Sequence, residues 1–302
     1  MLDALVESMN RHLESGPELI VVDNRSRDDP ERAARAYRGP VRFIPLEQNI
    51  GFGTACNLGV RSAGGASVVM LNPDTELVDA SLDELAAFAL QRGALAGPRL
   101  LNPDRSSQPS ASGVPVGPWP WIGAIVPGKL QPPPLRRRTE PWRASRTVAV
   151  GWLTGACIAG PRSVLLELGP FDPSIHLYSE DMDLGLRAAQ AGVESWFCPD
   201  LSRIVHRGGA SASIAFPRGV ETLVARNRRA VVRRAYGRRR ERAGWLALRA
   251  NLRLRVVAKG VLGVNASADR AALEATRQAT FVPDLPAVPS PDPGSGALSA
   301  RR

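Results

Sequence analysis

The run Leu-Ile-Val-Val at residues 19–22 constrains the fold more than any other feature of this 302-residue chain. It is uninterrupted, it follows Gly16-Pro17, and it stops at Asp23-Asn24. Runs of this kind are typical of strands that are buried on both faces of a parallel sheet. The residues before it, from Leu2 to Leu13, carry apolar side chains at helical spacing, which predicts a helix that ends at the Gly-Pro pair.

The same alternation continues along the chain. Further strands are predicted at 41–46, 67–71 and 194–197, and further helices at 57–63, 82–90, 163–168 and 179–191. The last of these helices is predicted to be capped by Ser179 and ended by Gly192. Strands that alternate with helices predict an α/β fold, in which a mostly parallel sheet is flanked by helices on both faces.

Polar side chains follow two of the predicted strands, at the point where each strand ends. Asp23 and Asn24 follow the strand at 19–22, and Asn72 and Asp74 follow the strand at 67–71. In α/β sheets ligands bind beyond these carboxyl ends. A glycine-rich turn within residues 49–57 leads into a helix, and its glycines allow the backbone to approach a ligand closely. Each feature also fits an ordinary turn.

Three acids within four residues, Glu180, Asp181 and Asp183, begin the predicted helix at 179–191. The helix dipole stabilises one acid at this position by about 0.3–1 kcal/mol. Three acids repel one another, which indicates a base, a metal or a cationic partner. Arg187 lies one turn beyond Asp183 and is its predicted structural partner.

Basic residues are concentrated near the C-terminus. The chain carries 39 Lys and Arg against 29 Asp and Glu, a formal net charge of +10. Residues 226–259 hold thirteen Lys or Arg and one acid, so this segment carries +12 and the rest of the chain −2. A basic amphipathic helix is typical of a membrane-surface element. A helix packed on the domain with a solvated basic face fits equally well. The apolar side chains that share one face of this helix are Trp245, Leu248, Leu252 and Val256.

Composition divides the chain into three parts: a domain at 1–215, a basic helical extension at 216–282 and a disordered tail at 283–302. Residues 106–142 contain nine prolines and three tryptophans, which predicts a long irregular loop within the domain. The tail is rich in proline. The three cysteines, Cys56, Cys157 and Cys198, are widely spaced and odd in number, which favours free thiols in a reducing cytoplasm.

Seven short motifs follow one another along the chain: Val21-Val-Asp-Asn24, Asn49-x-Gly-Phe-Gly-x-x-x-Asn57, Leu71-Asn-Pro-Asp74, Gly151-Trp-Leu-Thr-Gly155, Phe171-Asp172, Tyr178-x-Glu-Asp-x-Asp-Leu184 and His206-x-x-Gly-x-Ser211. Taken in order, they resemble those of glycosyltransferase family two, the inverting transferases with the GT-A nucleotide-sugar fold. The Asn-Pro-Asp form at 72–74 and the stretch Val150-Gly-Trp-Leu-Thr-Gly155 are most similar to bacterial rhamnosyltransferases, which transfer L-rhamnose from dTDP-rhamnose to lipid-linked N-acetylglucosamine.

The resemblance implies a catalytic role for the acidic cluster. Asp181 would be the general base, with Glu180 and Asp183 in support. Trp152 and Gly155 would lie on the acceptor side. The acceptor would be a polyprenyl-diphosphate-linked sugar or a glycan of the cell envelope.

The resemblance also implies a donor site and a cofactor. Asp74 and His206 would bind a divalent cation, Mg²⁺ or Mn²⁺, which neutralises the departing diphosphate. The residues that would bind the nucleotide-sugar donor are Asp23, Asn24, Asn49, Gly51, Asn57 and Asn72.

Two rival interpretations of function stand beside this one. A non-catalytic nucleotide-sugar-binding relative would also carry these motifs, but the intact acidic cluster and Asp74 oppose it. Nucleic-acid binding through the basic segment is opposed by the aliphatic residues between its charges, so we expect no nucleic-acid partner. We expect residues 226–259 to hold the protein on an anionic membrane surface, at the cytoplasmic, inner face of the plasma membrane.

The chain begins inside the helix that, in the family, follows the first strand of the sheet. We therefore expect Met1 to be an internal methionine of a longer natural protein. An in-frame stop codon directly before Met1, together with an active 302-residue product, would contradict this expectation.

Overall fold

The computed structural model describes residues 1–126, 130–208, 220–280 and 282–286. Its α-helices are α1 (Leu2–His12), α2 (Pro30–Arg35), α3 (Phe52–Ser62), α4 (Ser81–Arg92), α5 (Trp119–Ile125), α6 (Pro133–Thr139), α7 (Arg162–Leu168), α8 (Glu180–Gln190), α9 (Val220–Val261) and α10 (Ser267–Gln278). Its strands are β1 (Leu19–Asp23), β2 (Val41–Pro45), β3 (Ser67–Leu71), β4 (Thr75–Leu77), β5 (Leu95–Leu101), β6 (Ala111–Ser112), β7 (Val148–Val150), β8 (Trp152–Leu153), β9 (Cys157–Pro161) and β10 (Ser195–His206).

The first helix and the first two strands follow the predicted pattern. α1 buries Leu5, Val6 and Met9, because residues three or four apart lie on one face of a helix. β1 and β2 run parallel, with Leu19 opposite Val41 and Asp23 opposite Pro45. They form a two-stranded sheet that is separate from the main sheet.

The main sheet has six strands, in the order β3-β9-β5-β10-β4, and β7 also pairs with β10. β5 and β10 are parallel, whereas β9 runs antiparallel to β3 and β5, and β4 and β7 run antiparallel to β10. The sheet is therefore mixed, and the prediction of a mostly parallel sheet is wrong in this respect. Antiparallel neighbours need no crossover helix, and β4 and β9 each follow the preceding strand after a short connection without a helix.

Helices cover both faces of the main sheet, as the alternating pattern predicts. One core cluster joins α1 to Leu82 and Leu85 of α4 and to residues of the sheet. A second cluster joins helices α3, α7 and α8, through Val60, Leu165 and Leu184, to Phe197 of β10. The carboxyl ends of β3 and β10 therefore lie between two helical layers, and the first turn of α8 belongs to the second layer.

The segment 106–142 is more regular than its proline content predicts. It contains the short strand β6, the helices α5 and α6, and a 3-10 turn at Pro141–Arg143. Both helices have proline in their first turn, where the missing amide hydrogen costs nothing and the fixed φ angle favours a helix. Proline clusters here mark helix starts.

The basic segment is helical, as predicted, but it is bent. Gly237 has φ 81° and ψ 165°, which divides α9 into an N-terminal half at 220–236 and a C-terminal half at 238–261. In the N-terminal half, Val231 and Val232 join a core cluster with Ile175, Met182 and Leu186. This half is therefore packed on the domain.

The predicted disordered tail is described only through residue 286, and residues 287–302 lie outside the described part of the chain. Leu285 packs against the cluster around Val231, and the carbonyl oxygen of Pro286 accepts a hydrogen bond from Arg234 at 3.0 Å. The expectation of disorder is thus wrong for its first residues, because an apolar side chain finds a partner there. Among the residues that the structure describes, none of the helices combines the length and apolar character needed to cross a bilayer.

Candidate active site

The acidic cluster lies at the start of α8, after two residues with unusual backbone geometry. Tyr178 has φ 67° and Ser179 has φ 71°, both in the left-handed region. Residues other than glycine seldom occupy this region unless their surroundings hold them there. Ser179 precedes the helix, but its side chain makes no capping hydrogen bond, so the predicted Ser179 cap is wrong. The backbone geometry of Tyr178 and Ser179 sets the direction in which the first side chains of α8 point.

Asp181 is partly buried and is held through both carboxylate oxygens. Its Oδ2 accepts a hydrogen bond from the Gly155 amide at 3.0 Å, and its Oδ1 accepts one from the Met182 amide at 2.7 Å. Burial raises the pKa of Asp181, and the hydrogen bonds from Gly155 and Met182 partly oppose this effect. A fixed carboxylate with a raised pKa is suited to accept a proton.

Glu180 is buried beside Asp181, with only 7% of its surface exposed. Its Oε2 has no hydrogen-bond partner among the described residues. Burial, and secondly the charge of Asp181, raise the pKa of Glu180 to about 8. Burial therefore disfavours the charge on both neighbouring carboxyl groups, and Glu180, which also feels the charge of Asp181, is the harder of the two to ionise.

Both carboxylate oxygens of Asp183 accept hydrogen bonds from arginine side chains. Its Oδ2 accepts from Arg187 Nε at 2.6 Å, and its Oδ1 accepts from Arg234 at 2.5 Å. Arg187 also donates to backbone carbonyl oxygens at Leu168, Gly169 and Pro170. The predicted pairing with Arg187 is confirmed, and these contacts give Asp183 a structural role.

The stretch 151–155 lies against α8. A Cβ atom on Gly185 would lie 2.4 Å from the Cβ of Trp152, so this glycine lets the helix approach the tryptophan closely. The guanidinium of Arg228 lies over the Trp152 ring at 5.7 Å. The backbone amide of Gly155 donates to Asp181, and the carbonyl oxygen of Ala156 accepts a hydrogen bond from the backbone amide of Asn72 at 3.0 Å. The end of β3 and the start of α8 therefore meet at residues 155–156.

On the predicted donor side, hydrogen bonds join the end of β1 to the glycine-rich turn. Asn24 donates to Asn49 Oδ1 at 3.1 Å and accepts from the Ile50 amide at 2.9 Å. Asn49 also accepts from the Gly51 amide at 2.9 Å. Gly51 has φ 87°, and a Cβ atom there would lie 2.9 Å from the imidazole of His176. Only glycine fits this turn, which brings the donor side next to the segment before α8.

Asp23 and Asn57, which were also predicted to bind the nucleotide-sugar donor, form hydrogen bonds within the protein as well. Asp23 Oδ1 accepts from the Ser26 amide at 2.9 Å, but the side chain remains partly exposed. Asn57 is buried, and its carboxamide forms a hydrogen-bonded pair with the backbone of Phe171, at 2.7 and 2.9 Å. This arrangement gives Asn57 a structural role at the junction of α3 with the Phe171 segment.

Asp74 and His206 form a pair where β4 begins and β10 ends. His206 Nε2 lies 3.3 Å from Asp74 Oδ1. Burial alone would raise the pKa of Asp74, but the hydrogen bond and charge of His206 and backbone hydrogen bonds outweigh it and lower the pKa. Asn72 Oδ1, two residues before, is buried without a hydrogen-bond partner among the described residues. Gly209 and Ser211 of the His206 motif lie outside those residues.

Sequence reasoning missed Gln108, which orients His206. Gln108 Oε1 lies 3.0 Å from His206 Nδ1, and Gln108 Nε2 donates to the His206 carbonyl oxygen at 2.6 Å. Gln108 lies in the segment that was predicted to be irregular, 98 positions before its partner. No local pattern carries a signal for such a contact.

Comparison with known proteins decides the family. Residues 1–121 match the family model described as Glycosyl transferase family 2. Over 233 residues the chain is 30% identical to N-acetylglucosaminyl-diphospho-decaprenol L-rhamnosyltransferase of Mycobacterium tuberculosis, and the match covers 68% of this chain and 72% of that protein. This chain belongs to glycosyl transferase family 2. It is a glycosyltransferase, and the family resemblance is confirmed.

Other comparisons agree with this family. The chain is 30% identical over 204 residues to O-antigen biosynthesis protein RfbC of Myxococcus xanthus, a match that covers 64% of this chain and 15% of that protein. It shares the GT-A fold with GalNAc-T7 solved with UDP, GalNAc and Mn²⁺, at a TM-score of 0.55 and 19% identity over 76% of this chain and 45% of that one. S. aureus TarS 1–349 in complex with UDP-GlcNAc matches at a TM-score of 0.53 and 16% identity. This match covers 93% of this chain and 78% of that one. The GT-A prediction is confirmed.

Proposed function

We propose that the chain transfers L-rhamnose from dTDP-L-rhamnose to N-acetylglucosamine on a polyprenyl diphosphate, in cell-envelope glycan synthesis. The activity named for the Mycobacterium tuberculosis relative supports this choice of sugar and acceptor. The observation that carries the chemistry is the Asp181 carboxylate, which is fixed by the Gly155 and Met182 amides at the start of α8.

Asp181 acts as the general base. It removes the proton from an acceptor hydroxyl while the hydroxyl oxygen bonds to the anomeric carbon of the donor sugar. The bond from that carbon to the nucleotide diphosphate breaks, and the diphosphate leaves with the electron pair. A single displacement inverts the anomeric centre. Glu180 is the harder of the two neighbouring carboxyl groups to ionise, so the Asp181 carboxylate is the one that accepts the proton.

A divalent cation, Mg²⁺ or Mn²⁺, fits the Asp74–His206 pair. A carboxylate with a lowered pKa and an imidazole are suitable ligands, and Asn72 Oδ1 is a buried oxygen without a partner among the described residues. Within those ranges no three His, Cys, Asp or Glu side chains gather into a metal site of their own. Diphosphate oxygens of the donor would complete the ligand set, and the bound ion would neutralise the leaving group.

The C-terminal half of α9 favours a peripheral membrane site at the inner face of the plasma membrane, where a lipid-linked acceptor would be met. Trp245 and Leu252, on the apolar face for which membrane contact and packing on the domain were both left open, are buried in the protein. The exposed apolar residues are others: Leu246, Leu254, Val257 and Val261. α5 is held to this half by a hydrogen bond from Asn251 to the Gly123 carbonyl oxygen at 2.7 Å, and it exposes Trp121 and Ile125.

Turnover of defined donors tests the proposal. The purified chain is assayed with dTDP-L-rhamnose and with UDP- and GDP-sugars, on polyprenyl-diphospho-N-acetylglucosamine, with Asp181→Asn as the matched inactive control. Rhamnosyl transfer by the wild type alone supports the proposal. Transfer from another nucleotide sugar refutes the choice of rhamnose and keeps the transferase. Equal product from both chains refutes the assignment of Asp181.

A further inference from the structure

The N-terminal half of α9 contacts the segment that carries the candidate base. Arg234 lies on this half, with its side chain 14% exposed. Its guanidinium bridges two buried carboxylates, reaching Asp172 Oδ2 and Asp183 Oδ1 at 2.5 Å each. Asp172 and Asp183 are the first and last residues of the segment 172–183, here called the acidic turn, so one side chain ties together both of its ends.

A second contact comes from Asn227, seven positions earlier and therefore on the same face of the helix. Its Nδ2 donates to the carbonyl oxygens of Leu177 and Tyr178, at 2.9 and 3.1 Å. The carbonyl of Tyr178 belongs to the first of the two left-handed residues before Glu180. Left-handed backbone at residues other than glycine persists where the surroundings stabilise it, and the two hydrogen bonds from Asn227 provide this stabilisation.

We infer that Arg234 and Asn227 are positioning residues, through which the N-terminal half of α9 sets the location of Asp181. This inference rests on the proposed role of Asp181. It gives the first half of the basic segment a partner within the protein: the acidic turn from Asp172 to Asp183. Arg suits this position because its planar fork serves two carboxylates at once, which the single ammonium of Lys does not.

Three variants test the inference: Asn227→Ala, Arg234→Gln and Arg234→Lys. Turnover on the donor and acceptor of the proposed function is expected to fall at least tenfold in the first two and to recover in part in Arg234→Lys. The affinity for dTDP, measured by calorimetry, is expected to stay within about twofold of the wild type, since neither side chain lies on the predicted donor side. Arg11→Gln, which removes an exposed ion pair with Glu7 at 2.8 Å, is the matched control and keeps full turnover.

A double-mutant cycle separates positioning from general damage. If Asn227 acts through Asp181, Asn227→Ala lowers turnover little in the Asp181→Asn background. A general loss of structure would instead lower turnover by the same factor in both backgrounds. Should Arg234→Gln fail to fold, the Asn227 cycle decides alone. Full turnover in Asn227→Ala, or additive losses in the cycle, overturns the inference while leaving Asp181 as the base. Full turnover in Asp181→Asn instead refutes the assignment of Asp181 as the base.

Discussion

Asp181 can be tested at the scale of one residue, because asparagine keeps its size but cannot take a proton. The amide oxygen of Asp181→Asn can still accept from Gly155. We expect turnover to fall by roughly two to four decades, the range for loss of a general base. Donor affinity, measured by calorimetry, should remain, since the predicted donor residues lie on other elements.

Asp3→Asn is the control for this substitution, because Asp3 is exposed and pairs only with Arg32 at 3.0 Å in the described structure. It should turn over at the wild-type rate. If Asp181→Asn also does so, the base lies elsewhere, and Glu180 is the next carboxyl to test.

Glu180 makes stability depend on pH. Its pKa is raised from 4.5 to about 8 in the folded chain, so the folded state keeps a proton that the unfolded state has lost. Stability therefore falls as pH rises through this window. Glu180→Gln, which mimics the protonated form, should lose less stability than the wild type as pH rises. The difference between their free energies of unfolding should grow by at most about 1.4 kcal/mol per pH unit.

Denaturant melts of wild type and Glu180→Gln across the window from about pH 5 to about pH 8 measure this advantage. Glu84→Gln, at an exposed position in the first turn of α4, is the matched control. Parallel stability curves for the wild type and Glu180→Gln would contradict a protonated Glu180. The control should follow the wild type at every pH.

Asp74 and His206 support a metal-dependent donor site. We expect Asp74→Ala to weaken binding of the nucleotide diphosphate in the presence of Mg²⁺ or Mn²⁺, because a carboxylate ligand is lost. In excess chelator the wild type and Asp74→Ala should bind the diphosphate equally weakly. Calorimetry with and without metal measures both, and full activity of the wild type in chelator would refute the metal role.

At the scale of residues, the sequence marks candidates where a local pattern exists. The acidic cluster, the glycine turn and Asp74 with His206 all lie in short motifs. The structure places them at the start of α8, beside the end of β1, and where β4 begins and β10 ends. Gln108 and Arg234 were missed because their partners lie 98 and 62 positions away. The contacts of these two side chains depend on how the chain folds, and a local sequence pattern does not show which distant residues become neighbours.

At the scale of elements, periodic helices were predicted and interrupted strands were not. β5 contains Gly97 and Pro98, residues that weaken a strand assignment, and yet it lies between β9 and β10 in the main sheet. A Cβ atom on Gly97 would lie 2.8 Å from Leu153 Cδ2, so the glycine serves the close packing of Leu153. Tertiary packing overrides the local signal here.

Two glycines in α3 give an element-level test. A Cβ atom at Gly53 would lie 2.7 Å from the Cβ of Phe171, which cannot move without its backbone, whereas one at Gly59 would lie an ordinary 3.6 Å from Val22. We expect Gly53→Ala to lose about 1–3 kcal/mol of stability through overpacking. Gly59→Ala, in the same helix, should gain up to about 1 kcal/mol. Chemical denaturation compares them, and equal effects would contradict the close approach of α3 to Phe171.

At the scale of the whole molecule, α9 links two surfaces. Its N-terminal half packs on the acidic turn, and its C-terminal half, beyond the bend at Gly237, exposes apolar side chains between basic ones. The sequence predicted one amphipathic helix with one apolar face. That face is used for packing around Trp245 and Leu252, and the exposed apolar residues lie on a different side. Periodicity shows that apolar faces exist, but tertiary contacts decide which one is left exposed.

This second face provides the membrane prediction. We expect the paired change Leu254→Glu and Val257→Glu to reduce binding to vesicles of anionic lipid by more than tenfold, because each apolar side chain contributes about 1.5–3 kcal/mol when fully buried and the new acids are repelled by the lipid. Leu90→Glu, on the exposed side of α4, makes the same change elsewhere and should bind as the wild type does. Wild-type binding should weaken as salt rises, since the basic residues around this face are screened. Sedimentation with vesicles at two salt concentrations measures all of these quantities. If the paired variant binds anionic vesicles as tightly as the wild type and Leu90→Glu do, the C-terminal half of α9 is not the membrane surface.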